Sequence, residues 1–286
     1  MKYNLLVLIF LVPQLCFAIA PHVKLPFKTK APKTNYVYPI AVIGGGTAGV
    51  AAANRAVLNN DEVLLFTGNK KSLTNARGSW VRTVDNVPGL SDYERTVLDL
   101  RNKTLANIQT LPLAHNLNVV EDQVMTITKE SKFFLLKDNS GHEYKAQHII
   151  LATGIMDTQP HIKGSIKYIL PYANKQQVAY CIKCDGHRAY GKRVAILGHN
   201  KSSAAIAQIL HERYQLPQII ILTNGREPEW TPKQREMMAN YKIESNYEPI
   251  QRVLGRGKKL EGFSLQDGTQ IKIDMAYVSL GIRPNN

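Results

Sequence analysis

From Tyr38 onward, short apolar runs alternate with glycine-containing turns and with longer stretches in which apolar residues recur at helical spacing. The run Tyr38 to Ile43 predicts a strand, Gly44-Gly45-Gly46-Thr47-Ala48-Gly49 a turn, the alanine-rich stretch Val50 to Leu58 a helix, and Glu62 to Thr67 a second strand. That order is a βαβ unit. Ser91 is placed to cap a helix from Asp92 to about Leu111. Strands near Asp122 to Thr128, Lys132 to Lys137 and Glu143 to Lys145 predict a meander with a turn at Asp138 to Gly141, and His148 to Thr153 reads as a buried strand. The first pattern then returns: strand Arg193 to Leu197, a turn from Gly198, helix Ser202 to Arg213, strand Gln218 to Thr223. Thr231-Pro232-Lys233-Gln234 has a Thr cap, Pro at the first helical position and Gln three residues on, which marks a helix start. Strands Gln251 to Gly255, Leu260 to Leu265 and Met275 to Ser279 follow, so the pattern predicts an α/β protein with two nucleotide-binding units.

Ahead of Tyr36 the pattern differs. Lys2 precedes an apolar run from Leu5 to Leu15, followed by small residues at Ala18 and Ala20, the layout of a secretory signal peptide. Cleavage after Ala18 is favoured over Ala20, which would leave Pro21 at the new N-terminus. The expectation is an exported protein, periplasmic or secreted. The competing reading is a membrane anchor over residues 5–20, because about 17 to 25 apolar residues span a bilayer. Residues 19–35 form a Pro- and Lys-rich linker, and folding is expected to begin near Tyr36.

With 286 residues, 44% of them hydrophobic, the chain can bury a substantial core and is long enough for two domains. Its net charge of +14 is spread over short clusters such as Arg256-Gly257-Lys258-Lys259, which argues against a dedicated nucleic-acid binder. There are three cysteines, and cleavage would remove Cys16. Cys181 and Cys184 then remain, too few for a disulfide scaffold and spaced as one redox or metal unit.

Two motifs carry chemistry. Gly44, Gly46 and Gly49 have the G-x-G-x-x-G spacing between a strand and a helix: the first permits the tight turn, the second lets a pyrophosphate approach the backbone, the third lets helix and strand pack closely. The following strand ends in Thr67-Gly68, where an acidic residue often holds the ribose of NAD. In Cys181-Ile182-Lys183-Cys184, a helix start would bring the sulfurs within disulfide reach and lower the thiol pKa. Lys183 adds positive charge, and Asp185 is placed to exchange a proton with a thiol. The rival readings are a half zinc site, with His187 as a further ligand, and an inert structural bridge.

Taken together, Gly44 to Gly49 with Ala48, Leu65-Phe66-Thr67-Gly68, Val84-Asp85-Asn86-Val87-Pro88-Gly89, Ala152-Thr153-Gly154, Cys181 to Gly186 and Gly281 to Asn285 resemble the low-molecular-weight thioredoxin reductases, in the FAD-dependent pyridine nucleotide-disulfide oxidoreductase family. Order and spacing match over about Tyr38 to Pro284. The resemblance implies an α/β fold of two Rossmann-like domains of the three-layer ββα type, the second inserted into the first. Residues 36–157 would bind FAD, 158–278 would bind the nicotinamide nucleotide and carry the dithiol, and 279–286 would begin the return to the FAD domain. By resemblance, FAD falls to Gly44, Gly46, Ala48, Gly49, Thr67, Gly68, Asn86, Ala152, Thr153 and Gly154. NADPH or NADH falls to Gly198, Ser202, Ser203 and Arg226. Cys181 would attack the disulfide of a thioredoxin-like protein or small substrate, Cys184 would face the flavin, Asp185 would protonate, and the protein would be a homodimer.

The chain departs from that pattern in three places. The second turn, Gly198-His199-Asn200-Lys201-Ser202-Ser203, keeps only its first glycine. After the next strand only Arg226 remains of the family's basic cluster. The sequence stops at Asn286, before the Gly-Asp segment that closes the family's FAD site, so the C-terminal part of the FAD domain is expected to be missing. Export also sits poorly with a cytoplasmic reductant. The resulting expectation is a disulfide reductase driven by NAD(P)H or another donor; the alternatives are a flavin-dependent dithiol oxidase using oxygen and a degenerate, non-catalytic binding protein.

Overall fold

The computed structural model describes residue 25 and residues 31–33, 35–81, 83–88, 96–257 and 259–285. The expected signal peptide or anchor, and the Ser91 cap, lie outside the described residues. Among the described residues no helix is long and apolar enough to cross a membrane.

The first unit runs β1 (Val37–Ile43), α1 (Thr47–Leu58), β2 (Val63–Phe66), α2 (Lys70–Leu73), α3 (Thr96–Gln109), β3 (Leu117–Val120), β4 (Val124–Lys129), β5 (Phe134–Asp138) and β6 (Glu143–Leu151). Its sheet has the order β3-β2-β1-β6-β5-β4. The strands from β3 to β6 in that order are parallel, and β5 and β4 extend the sheet as an antiparallel meander. Side chains alternate across a strand. Val63 and Leu65 therefore join Val42, Val50, Val57, Leu105 and Ile108 under α1 and α3, while Leu64 and Phe66 join Tyr38, Ile43 and Leu136 on the opposite face.

Two expectations are corrected here. Strands expected at Glu143 to Lys145 and at His148 to Thr153 are one strand, and its end is not buried: Ile150 is 37% and Leu151 67% exposed. The reason is lateral, since β5 accompanies β6 only as far as Ala146 and leaves β1 as the partner of the remainder. The start of packing also lies earlier than Tyr36. Leu25 packs against the helix-side core, and Lys33 pairs with Glu62 at 2.6 Å.

The chain continues through β7 (Ile155–Asp157), α4 (Leu170–Ala173), β8 (Val178–Ala179), α5 (Ile182–Asp185), β9 (Arg193–Leu197), α6 (Lys201–Tyr214), β10 (Gln218–Leu222), α7 (Pro232–Asn240), β11 (Glu244–Asn246), β12 (Ile250–Arg256), β13 (Lys259–Leu265), β14 (Gln270–Lys272), β15 (Met275–Val278) and β16 (Ile282–Pro284). A parallel sheet of order β11-β10-β9-β15-β8 lies between α6 and α7 on one face and the antiparallel sheet β12-β13-β14 on the other. Ile219 and Ile221 point to the helices, with Ala207, Leu210, Trp230 and Met238; Ile220 and Leu222 point to Phe263 and Leu265. Each buried Ile or Leu contributes about 1.5–3 kcal/mol, and strict alternation lets one sheet bond to layers on both sides. The start of α7 has the expected capping box of Thr231 and Gln234. β16 pairs antiparallel with β7, so the outgoing and returning connections of the second unit run side by side.

Candidate functional site

The first glycine turn sits between β1 and α1. A Cβ on Gly44, which has φ +121°, would strike the Ala152 carbonyl oxygen, and one on Gly49 would strike the Gly44 carbonyl oxygen. A Cβ on Gly45 would lie 2.6 Å from the Thr67 Cα. The turn is thus wedged against the ends of β2 and β6, which brings Gly44 to Gly49, Thr67, Gly68 and Ala152 to Gly154 to one edge of the sheet. Gly46 is different. It is exposed, nothing lies within 4 Å of where its Cβ would stand, and no side chain caps the helix it begins. An uncapped helix N-terminus with an open backbone approach is what a diphosphate requires, so the residues present fit FAD at this turn. Asn86 is exposed, in the turn at residues 85–88.

Cys181 is the N-cap of α5, and its Sγ accepts the Cys184 backbone N–H at 3.2 Å. The Cα atoms are 5.3 Å apart and the sulfurs lie at bonding distance. A sulfur at a helix N-terminus is stabilised as thiolate by the same partial positive charge. From β15, the Tyr277 hydroxyl donates to the Asp185 carbonyl at 2.8 Å and braces the short helix from below. The Asp185 carboxyl is half-buried, and burial raises its pKa more than the Arg188 guanidinium lowers it. Arg188 Nε donates to Asp185 Oδ1 at 3.2 Å. A proton is therefore held next to the cysteines at higher pH than an ordinary carboxyl would hold it.

Both flanks of this segment are tied to the first unit. On one side Arg77 pairs with Asp157 at 2.7 Å and reaches the Tyr180 carbonyl at 3.5 Å. On the other, Asp85 accepts from Arg188, and His187 Nε2 lies 3.1 Å from Asp85 Oδ2. His187 is thus engaged with a carboxylate, and among the described residues no group of three His, Cys, Asp or Glu side chains is placed to hold a metal ion.

The second turn is built otherwise. A Cβ on Gly198 would strike the Ser279 carbonyl oxygen, as tight a seat as the first glycine of the first turn. At the position matching Gly46 stands Asn200, whose side chain accepts the Ser203 N–H at 3.0 Å and the Ser279 hydroxyl at 3.2 Å. Ser203 is fully buried, donates to the Asn200 carbonyl at 2.6 Å and accepts the Trp230 indole N–H at 2.9 Å. Ser202 and Arg226 are exposed. The helix N-terminus that would face a nicotinamide diphosphate is capped by the chain itself.

Sequence reasoning passed over Arg101, Arg77 and Tyr277 and assigned Asp85 no role. All act across more than fifty residues, where local spacing carries no signal. The Asn200 cap had one: Asn directly before a helix, with a serine three residues on.

An open glycine turn thus stands at the edge of the first sheet, and a bonded cysteine pair stands at the start of a short helix braced by the second. Residues 38–286 match the family described as pyridine nucleotide-disulphide oxidoreductase, and the chain belongs to that family. Family membership implies FAD and a nicotinamide nucleotide as cofactors. The chain is similar to the thioredoxin reductase of Borreliella burgdorferi, 22% identical over 88% of this chain and 75% of that one. It is also similar to that of Helicobacter pylori, 27% identical over 55% of this chain and 47% of that one. An alkyl hydroperoxide reductase chain of Escherichia coli is 24% identical over 87% of this chain and 46% of its own length. The chain thus spans about half the length of two of these three relatives. In fold, the thioredoxin reductase of Giardia duodenalis superposes with a TM-score of 0.70 at 21% identity, covering 87% of this chain and 78% of that one. The chain is thioredoxin reductase-like in its α/β architecture.

Proposed function

We propose that this chain is a FAD-dependent disulfide reductase of the thioredoxin reductase type, passing electrons from NAD(P)H or another donor to Cys181–Cys184 and on to a thioredoxin-like disulfide. The observation that carries this reading is the attachment of the cysteine segment, through Tyr180 on one flank and His187 and Arg188 on the other, to the unit that holds the open glycine turn. Gly44, Gly46 and Gly49, with Thr67 and Ala152 to Gly154, hold FAD. When bound, it supplies the two electrons that open the disulfide.

In the thiol-disulfide step the Cys181 thiolate attacks one sulfur of the partner disulfide and releases the other as a thiolate. Asp185 gives that sulfur its proton. Cys184 gives its thiol proton to the Asp185 carboxylate, and its Sγ attacks Cys181 Sγ, which closes the pair and frees the second partner sulfur as a thiolate that takes up that proton. The partner leaves as a dithiol. We read the active form as a homodimer.

Capping of the second turn by Asn200 favours a second reading, a dithiol oxidase that returns electrons to oxygen. One anaerobic titration separates the two. With FAD-loaded protein, bleaching of flavin absorbance by NADPH or NADH, followed by disulfide reduction, is the expected result. Bleaching by dithiothreitol alone, with oxygen-dependent recovery, marks the oxidase. If Cys181→Ser or Cys184→Ser turns over like the parent, the redox pair is misassigned. A chain that folds yet never takes up FAD is the degenerate binding protein.

Export is part of the same proposal. Mass spectrometry of the mature protein should find an N-terminus near Ile19, and an intact Met1 on membrane-bound protein would mark the anchor instead.

A further inference from the structure

Arg101 is a cation buried in the first unit, 4% exposed on α3. Its Nε donates to the Gly45 carbonyl at 2.7 Å, and one terminal nitrogen donates to the Asn102 side chain at 2.8 Å. Burying a guanidinium is costly unless its hydrogen bonds are made, so its place against the glycine turn calls for a reason.

Planarity of the peptide supplies one. In a trans peptide the C=O and N–H point in opposite directions. Holding the Gly45 carbonyl against Arg101 turns the Gly46 N–H away from Arg101, and nothing lies within 4 Å of the Gly46 Cβ position. The same contact sets a fixed positive charge behind the uncapped start of α1, adding to the partial charge of the helix terminus. Lysine could supply the charge but not the planar fork that fixes the carbonyl and Asn102 together. The second unit offers the contrast, because there Asn200 caps its own helix and the residue packed behind the turn is Trp230 rather than a cation.

We propose that Arg101 is the positioning residue of the FAD site, holding the Gly45–Gly46 peptide so that the Gly46 amide meets the diphosphate. The proposal rests on the FAD reading of the first turn. It assigns Arg101 to the diphosphate and to no other part of the cofactor.

Isothermal titration calorimetry on the full chain tests it, with FAD, ADP and adenosine as probes. Arg101→Met should weaken FAD and ADP by about tenfold or more, the size of a lost hydrogen bond to a charged group, and leave adenosine unchanged. Arg101→Lys should recover part of that loss. If the Met variant fails to fold by circular dichroism, the Lys variant is read alone, and a loss for ADP without a loss for adenosine still supports the assignment. Equal affinities of parent and variant for ADP, or equal losses for ADP and adenosine, overturn it. Parent protein that binds neither FAD nor ADP overturns the underlying FAD reading as well.

Discussion

Asp85 and Arg188 are 103 residues apart in sequence and joined by an ion pair, and Arg188 is at the same time bonded to Asp185, the residue after the second cysteine. One guanidinium thus serves the contact between the units and the acid beside the dithiol.

Asp85→Ala should therefore affect electron exchange more than stability. Exposed ion pairs contribute about 0–1 kcal/mol, so the melting temperature should move by only a few degrees. Reduction of Cys181–Cys184 by the flavin should slow several-fold, and its rate should lose the dependence on ionic strength expected of the parent. Stopped-flow measurement at two salt concentrations checks both, and a parent rate indifferent to salt would remove the ion pair from the argument.

The raised pKa of Asp185 comes first from burial, with Arg188 opposing it. The folded chain keeps this proton at pH values where the unfolded chain has lost it. Its contribution to stability is therefore full below the ordinary carboxylate pKa and declines as pH rises from about 4 through the raised value. Asp185→Asn should flatten that decline, so that its melting temperature gains on the parent between acid and neutral pH. The same variant should slow turnover. A constant difference in melting temperature across pH would show that Asp185 titrates normally.

Gly46 and Gly49 should separate binding from folding. A methyl at Gly49 strikes the Gly44 carbonyl, so Gly49→Ala should cost about 1–3 kcal/mol or more in thermal unfolding. The space beside Gly46 is open, so Gly46→Val should keep the fold to within about 1 kcal/mol and yet fail to take up FAD. Undiminished FAD uptake by Gly46→Val would place the diphosphate elsewhere.

Asn200→Gly removes the side chain that caps α6. Exchange of an N-cap Asn for Gly costs a few tenths of a kcal/mol, and the lost bond from Ser279 adds about 1. Calorimetry with NADPH and NADH should find tighter binding than in the parent, by several-fold. Unchanged or weaker binding would mean that the cap does not limit access.

Both glycine turns, the cysteine pair and the α7 capping box were legible because each is written in adjacent residues. Burial of β6 was misread for a physical reason: Ile149-Ile150-Leu151 is the same apolar run whether a strand is flanked on both edges or on one. Arg101 could not be read at all, since a charged residue in an amphipathic helix ordinarily faces water and only the folded chain turns this one toward Gly45. Asp85 was legible as part of a motif, yet its partners His187 and Arg188 are set by how the two units meet.

The chain has two tryptophans, and the fold places one in each unit. Trp80 donates its indole N–H to the Thr74 carbonyl in the first, while that of Trp230 is bonded to Ser203 and Asn200 at the second turn. Emission from this protein thus has two sources that sit at different sites. In Trp80→Phe the remaining signal comes from the indole wired to the second turn, a lamp that changes colour or brightness when Asn200 moves and stays steady when it does not.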